Sequence, residues 1–144
     1  MNRLATMPLK VVPSVRNDND PSRCLAVLHQ IETMLATLAQ WGQTDTIDVR
    51  RLPLDEREYH ELKETLGTGE LSAEVNALGR TRVRETAVSG VWWVTHYGRD
   101  DHVIAELIEV TEFPELLSVH KDDLRAGMRL LRTRADHLRE SRAQ

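Results

Sequence analysis

The sequence predicts an α+β fold, an antiparallel β-meander sheet with helices packed on one face. Three observations carry this expectation. The segments TRVRETAVS, VWWVTHY and HVIAELIEVTEF have strand-forming character and are separated only by Gly90 and by Gly98-Arg99-Asp100-Asp101. Connections this short join antiparallel neighbours, because a parallel pair needs a long crossover. Two capped amphipathic stretches lie before these strands and a third follows them, giving the order α-β-α-β-β-β-β-α. The 144 residues suit one domain of ordinary size.

Residues 1–20 contain two prolines and the polar run Arg16-Asn17-Asp18-Asn19-Asp20. They show neither helical nor strand periodicity, so a flexible N-terminal arm is expected. A single domain is then expected over 21–118, starting with Asp20 as a helix cap and Pro21 at the first helical position. Leu25, Leu28, Ile31, Leu35 and Leu38 form an apolar stripe that Gly42 stops. In TDTIDVRRLP, Ile47 and Val49 alternate with Asp48 and Arg50, as in a short strand that ends before Pro53. Asp55 and Glu58 have capping-box spacing, Leu54 is placed to staple onto Tyr59, and Leu62 and Leu66 continue that helix to Gly67. ELSAEVNALG reads as the next strand. A basic amphipathic helix is expected over 119–144, with Leu124, Met128, Leu131, Ala135 and Leu138 as its apolar stripe.

The composition, 40% hydrophobic and 29% charged, is that of a soluble globular protein. MNRLATMPLKVVP has no continuous apolar stretch of signal-peptide length and no twin arginine, and no apolar run is long enough to cross a bilayer, so neither export nor stable membrane association is expected, and the cytoplasm is the expected location. Lys121 to Gln144 carry seven basic and four acidic residues, against twelve basic and nineteen acidic before them. An acidic body argues against nucleic-acid binding; Arg80, Arg82 and Arg84 are its one compact basic group. Cys24 is the only cysteine, and His29, His60, His96, His102, His120 and His137 show no ligand spacing, so no metal or cofactor is expected. No nucleophile elbow, P-loop or dinucleotide fingerprint is present, and no catalytic residue is assigned. The alternatives are a small acid–base enzyme, if register paired Glu85 with His96, or a general peptide-binding module.

Two of the three tryptophans are adjacent. Neighbouring side chains on a strand point to opposite faces, so Trp92 and Trp93 cannot share a one-sided core. Glu70, Ser72, Glu74, Glu85, Glu106 and Glu109 fall within or beside the β segments, so part of the sheet is expected to face water or a partner. Val94 shares a side with Trp92, which favours that side as the core and turns Trp93 outward. The partner-binding set is therefore Glu70, Ser72, Glu74, Glu85, Trp92 and Trp93.

LPLDEREYHELKETLGTGELSAEV, ETAVSGVWWVTHYG and VIAELIEVTEFPELL together resemble the C-terminal conserved domain of hydrogenase expression/formation proteins of the HupH/HyaF type. The resemblance runs from about Leu25 to Leu117; its most specific pieces are LPL, GELSAEV and ETxxxGVWWV. It implies an accessory or chaperone role in maturing a nickel–iron uptake hydrogenase, with the immature iron–sulfur small subunit as partner. Other maturation proteins are further partners that it implies, and the reading leaves room for a homo-oligomer. With one cysteine, holding a client suits the chain better than building a cluster.

Overall fold

The computed structural model describes residues 22–76 and 79–143. The arm expected over 1–20 and the helix start at Asp20-Pro21 lie outside them. Helix α1 spans Arg23–Trp41, with Ser22 at its N-cap position. Gly42 ends it in the left-handed conformation (φ 67°), donating its N–H to the Leu38 carbonyl. Strand β1, Asp45–Asp48, runs into a 3-10 turn, Val49–Arg51, which the Asp48 carboxylate caps through Arg50 N–H. Helix α2, Glu56–Leu66, carries the expected capping box: Asp55 accepts from Glu58 N–H at 2.8 Å, and Glu58 accepts from Asp55 N–H at 3.0 Å. Strands β2 (Ser72–Asn76), β3 (Arg80–Glu85), β4 (Val91–Tyr97) and β5 (Val103–Val110) follow, then helix α3 (Lys121–Arg142).

The fold is α+β, with one antiparallel five-stranded sheet in the order β1-β5-β4-β3-β2. Strands β2 to β5 form the meander, and β1 closes it beyond β5 with Ile47 opposite Ile108. Helices α1 and α2 cover one face. Their inner residues join Ile47, Val91, Trp93, Ile108 and Val110 in the main core. On α1 the buried residues are Cys24, Val27, Ile31, Met34 and Leu38. The stripe expected from sequence is thus rotated: Leu28 and Leu35 flank the core, and Leu25 is 52% exposed. Apolar residues occupy much of this helix's circumference, so contact with the sheet, rather than periodicity, selects the inner face. Burial pushes the Cys24 thiol above its ordinary pKa, and the nearby carboxylates of Glu61 and Glu58 add to the effect.

The tryptophan assignment is reversed. Trp93 lies beneath the helices and Trp92 on the opposite face, yet each is only 3% exposed. A second, smaller core of Val83, Trp92 and Val94 is covered by Leu107 and Leu117. The chain after β5 folds back over it: Phe113 meets the Trp92 ring edge-on at 6.0 Å, and the indole N–H donates to the Thr111 carbonyl at 3.1 Å. Glu85 and Glu109 flank Trp92 on the two neighbouring strands. Burial pushes the Glu109 carboxyl above its ordinary range, with His96 opposing and Glu115 reinforcing.

Helix α3 also departs from expectation. Every one of its residues is exposed, Leu131 by 69%, so its apolar stripe is no part of either core. Ser118 and His120 have extended backbones that carry the chain away from the sheet. Among the described residues, no helix is long and apolar enough to cross a membrane.

Both tryptophans fill closed space, so Trp92→Ala and Trp93→Ala are each expected to lower stability by about 3–5 kcal/mol in urea unfolding. On α1, Met34→Ala should cost about 2–5 kcal/mol, whereas Leu25→Ala should stay within about 0.5 kcal/mol of the parent.

Candidate interaction site

The helices sit over the β1-β5-β4 half of their face, and a polar cluster closes the boundary. The capped start of α2 presents Tyr59, whose hydroxyl donates to the Glu106 carboxylate with oxygens at 2.7 and 2.9 Å. Trp93 Nε1–H donates to the same carboxylate at 2.9 Å. The Tyr59 and Trp93 rings meet edge to face at 5.9 Å, and Lys63 Nζ lies 5.0–5.1 Å from both ring centres. Burial, reinforced by the Glu106 hydrogen bond and charge, pushes the Tyr59 phenol well above its ordinary pKa; Arg84 opposes the shift. A carboxylate held by two donors beside a cation fastens α2 to the sheet. Sequence reasoning saw Glu106 only as an acid in a strand. The available signal was its diagonal position to Trp93, whose direct partner on β5 is Ile108.

Beyond α2 the helix-side face opens onto β2 and β3. Ser72 and Glu74 lie there opposite Arg84 and Arg82, and both are exposed. Glu74 is 3.7 Å from Arg80 and from Arg82, Arg80 is 3.1 Å from Asp101, and the Arg80 guanidinium stacks 4.0 Å above the Tyr97 ring. Exposed pairs of this kind add little stability. They hold the arginines along the strand and leave Ser72 clear. Glu70 is exposed in the approach to β2. That approach passes so close to β3 that only glycine fits at position 69: an added Cβ would lie 2.5 Å from the Thr86 carbonyl oxygen. β2 is an outer strand, so alternate amides and carbonyls along it point away from β3 and offer an edge for pairing.

The sequence-derived partner set is therefore split. Glu70, Ser72 and Glu74 share the β2 edge. Glu85 lies behind them on the opposite face, its carboxylate 3.4 Å from Leu71 N–H. Trp92 and Trp93 are internal, one in each core. Register also separates the acid–base candidates: His96 faces Thr81, whose hydroxyl is 2.8 Å from His96 Nδ1, while Glu85 faces Trp92. Four residue steps along the strand, roughly 13 Å, separate them. Among the described residues, no three His, Cys, Asp or Glu side chains gather as a metal-holding group.

The family model of the HupH hydrogenase expression protein, C-terminal conserved region, matches residues 23–138. The chain belongs to this family. A solved structure of HupH from Thiobacillus denitrificans superposes with a TM-score of 0.77 at 32% identity, covering 81% of this chain and 98% of that one. Hydrogenase expression/formation protein HoxQ of Cupriavidus necator is 26% identical over 100 residues, which are 69% of this chain and 36% of the relative. HupH of Rhodobacter capsulatus is 34% identical over 83 residues, 58% of this chain and 30% of the relative. The matches thus span about a third of the length of these curated relatives. Of the pieces that resemble the HupH family, LPL leads into α2, GELSAEV seats β2, and ETxxxGVWWV forms the β3–β4 hairpin.

Tyr59→Phe removes one donor from Glu106 and is expected to cost about 1.5 kcal/mol at neutral pH. The folded phenol holds its proton more tightly than the unfolded one, so its contribution is complete below pH 10 and is lost as pH rises above that value. Denaturation measured across the alkaline range should show this decline in the parent and not in Tyr59→Phe.

Proposed function

We propose that this chain is a non-catalytic accessory protein of hydrogenase maturation. It holds the immature iron–sulfur small subunit of a nickel–iron uptake hydrogenase in the cytoplasm until cluster insertion and pairing with the large subunit. Membership of the HupH family and the names of its hydrogenase expression/formation relatives support the maturation role. The observation that carries the holding role is the exposed β2 edge with Glu70, Ser72 and Glu74 along it. An extended client segment adds there as a further strand, its main chain supplying affinity, while the carboxylates favour lysine, arginine or backbone donors. Trp92 and Trp93 keep the sheet rigid behind this edge, and Glu85 fixes the entry of β2 through Leu71 N–H. The chain's one cysteine is buried in the main core, so its own side chains offer no thiolate set to a cluster.

Tagged chain purified from cells that make the hydrogenase small subunit should retain that subunit. The double substitution Glu70→Lys, Glu74→Lys should weaken the complex about 30-fold, corresponding to about 2 kcal/mol. Retention of the large subunit alone would contradict the proposal, as would equal retention by the double variant or equal binding of unrelated extended peptides.

A further inference from the structure

Among the described residues, two apolar surfaces of opposite charge are left without a partner. The first is the seam of α3. Leu124, Met128, Leu131, Ala135 and Leu138 are spaced 4-3-4-3, the repeat of a helix built to bury one narrow stripe. The positions flanking the stripe are Arg125, Arg132 and Arg139 on one side and Gly127, Arg134 and Ser141 on the other. No carboxylate stands at these positions; Arg125 and Arg139 reach Asp122 and Asp136 on the outer side of the helix in exposed pairs, and Arg132 and Arg134 form no ion pair among the described residues. Two copies of α3 paired through this seam would set Arg132 against Arg132 when antiparallel and Arg134 against Arg139 when parallel, which favours a different surface for the helix.

The second surface is the sheet face opposite α1 and α2. Among the described residues, its small core is roofed only by the segment after β5, and apolar side chains stay open around it: Ile104 is 53% exposed, Phe113 50% and Leu116 45%. Val75, Thr81, His96, Ile104 and Leu116 line a shallow groove of about 280 Å³, with Arg80 at one end already paired with Asp101. By register, the strand positions on this face include Asp48, Glu85 and Glu109 and no lysine or arginine; Glu112 and Glu115 lie on the roof. Among the described residues, Glu85, Glu109, Glu112 and Glu115 form no ion pair. The dimensions also agree: the α3 seam is roughly 21 Å long, and five strands at ordinary spacing are roughly 19 Å across.

We infer that α3 of one copy lies across the open sheet face of a second copy, and the reverse, in a two-fold dimer. The leucine seam meets Ile104, Phe113 and Leu116, and the flanking arginines meet the carboxylates beside Trp92. Glu109 is half-buried with its ionised form disfavoured and only His96 opposing, and this contact brings a guanidinium to it. The exchange is reciprocal, as a two-fold interface requires. It is independent of the maturation reading, because Ser72 and Glu74 are on the helix side of the sheet and stay accessible.

Sedimentation equilibrium of the full chain over a wide concentration range should give twice the 16.5 kDa chain mass. Leu131→Asp on the helix and Ile104→Asp on the face should each raise the dissociation constant roughly 30-fold or more, the scale of a central interface side chain. Leu116→Asp, in the turn after β5, is the second face variant should Ile104→Asp disturb the strand, and circular dichroism checks that each remains folded. A chain that is monomeric throughout overturns the inference. So does a dimer broken by Leu131→Asp but untouched by both face variants, which would mean that α3 pairs with α3, and so does a dimer indifferent to all three.

Discussion

Two adjacent indoles on the central strand are the constraint from which the rest of this architecture follows. Strand geometry sends Trp92 and Trp93 to opposite faces, so neither a one-sided sandwich nor an open sheet could shelter both. The fold answers with two unequal cores. Helices α1 and α2 supply the larger one over Trp93, and the return of the chain after β5 supplies a thin roof over Trp92. The inequality matters: over β1, β5 and β4 the thick side is closed and sealed by Glu106, while the thin side leaves apolar surface beside carboxylates.

Charge is distributed to match. The polar groups that fasten the molecule are used up locally, Glu106 by Tyr59 and Trp93, and Glu58 by the start of its own helix. Those on β2 lie on an outer strand with exposed side chains, and among the described residues the acidic groups around Trp92 form no ion pair with lysine or arginine. Surfaces of this kind suit association better than bond-making, in keeping with a family named for hydrogenase expression.

What was legible in the sequence was local. The capping box at Asp55 and Glu58, the stops at Gly42 and Gly67 and the short connections of the meander depend on residues a few positions apart. The order of elements followed from them. Choices between near-equal alternatives were not legible. Val91 beside Trp93 and Val94 beside Trp92 are equally apolar, so composition could not orient the strand, and the leucine-rich α1 offered two overlapping stripes. The Glu85–His96 pairing and the Tyr59–Glu106 bond both turn on register between strands or elements far apart in sequence. For the candidate site, Glu70, Ser72 and Glu74 could be grouped from sequence because alternation puts polar residues on one side of a strand. The tryptophans were included because a roof of only seven residues, 111–117, leaves little periodic signal.

Cys24 gives the molecule an internal clock. Its sulfur sits in the first turn of α1 against the main core, and burial among carboxylates disfavours the thiolate, the form that reacts. Alkylating reagents and partner thiols therefore reach it only when the start of α1 lifts from the sheet. The rate of that reaction measures how often the domain opens at the end nearest the capped start of α2, without any added label.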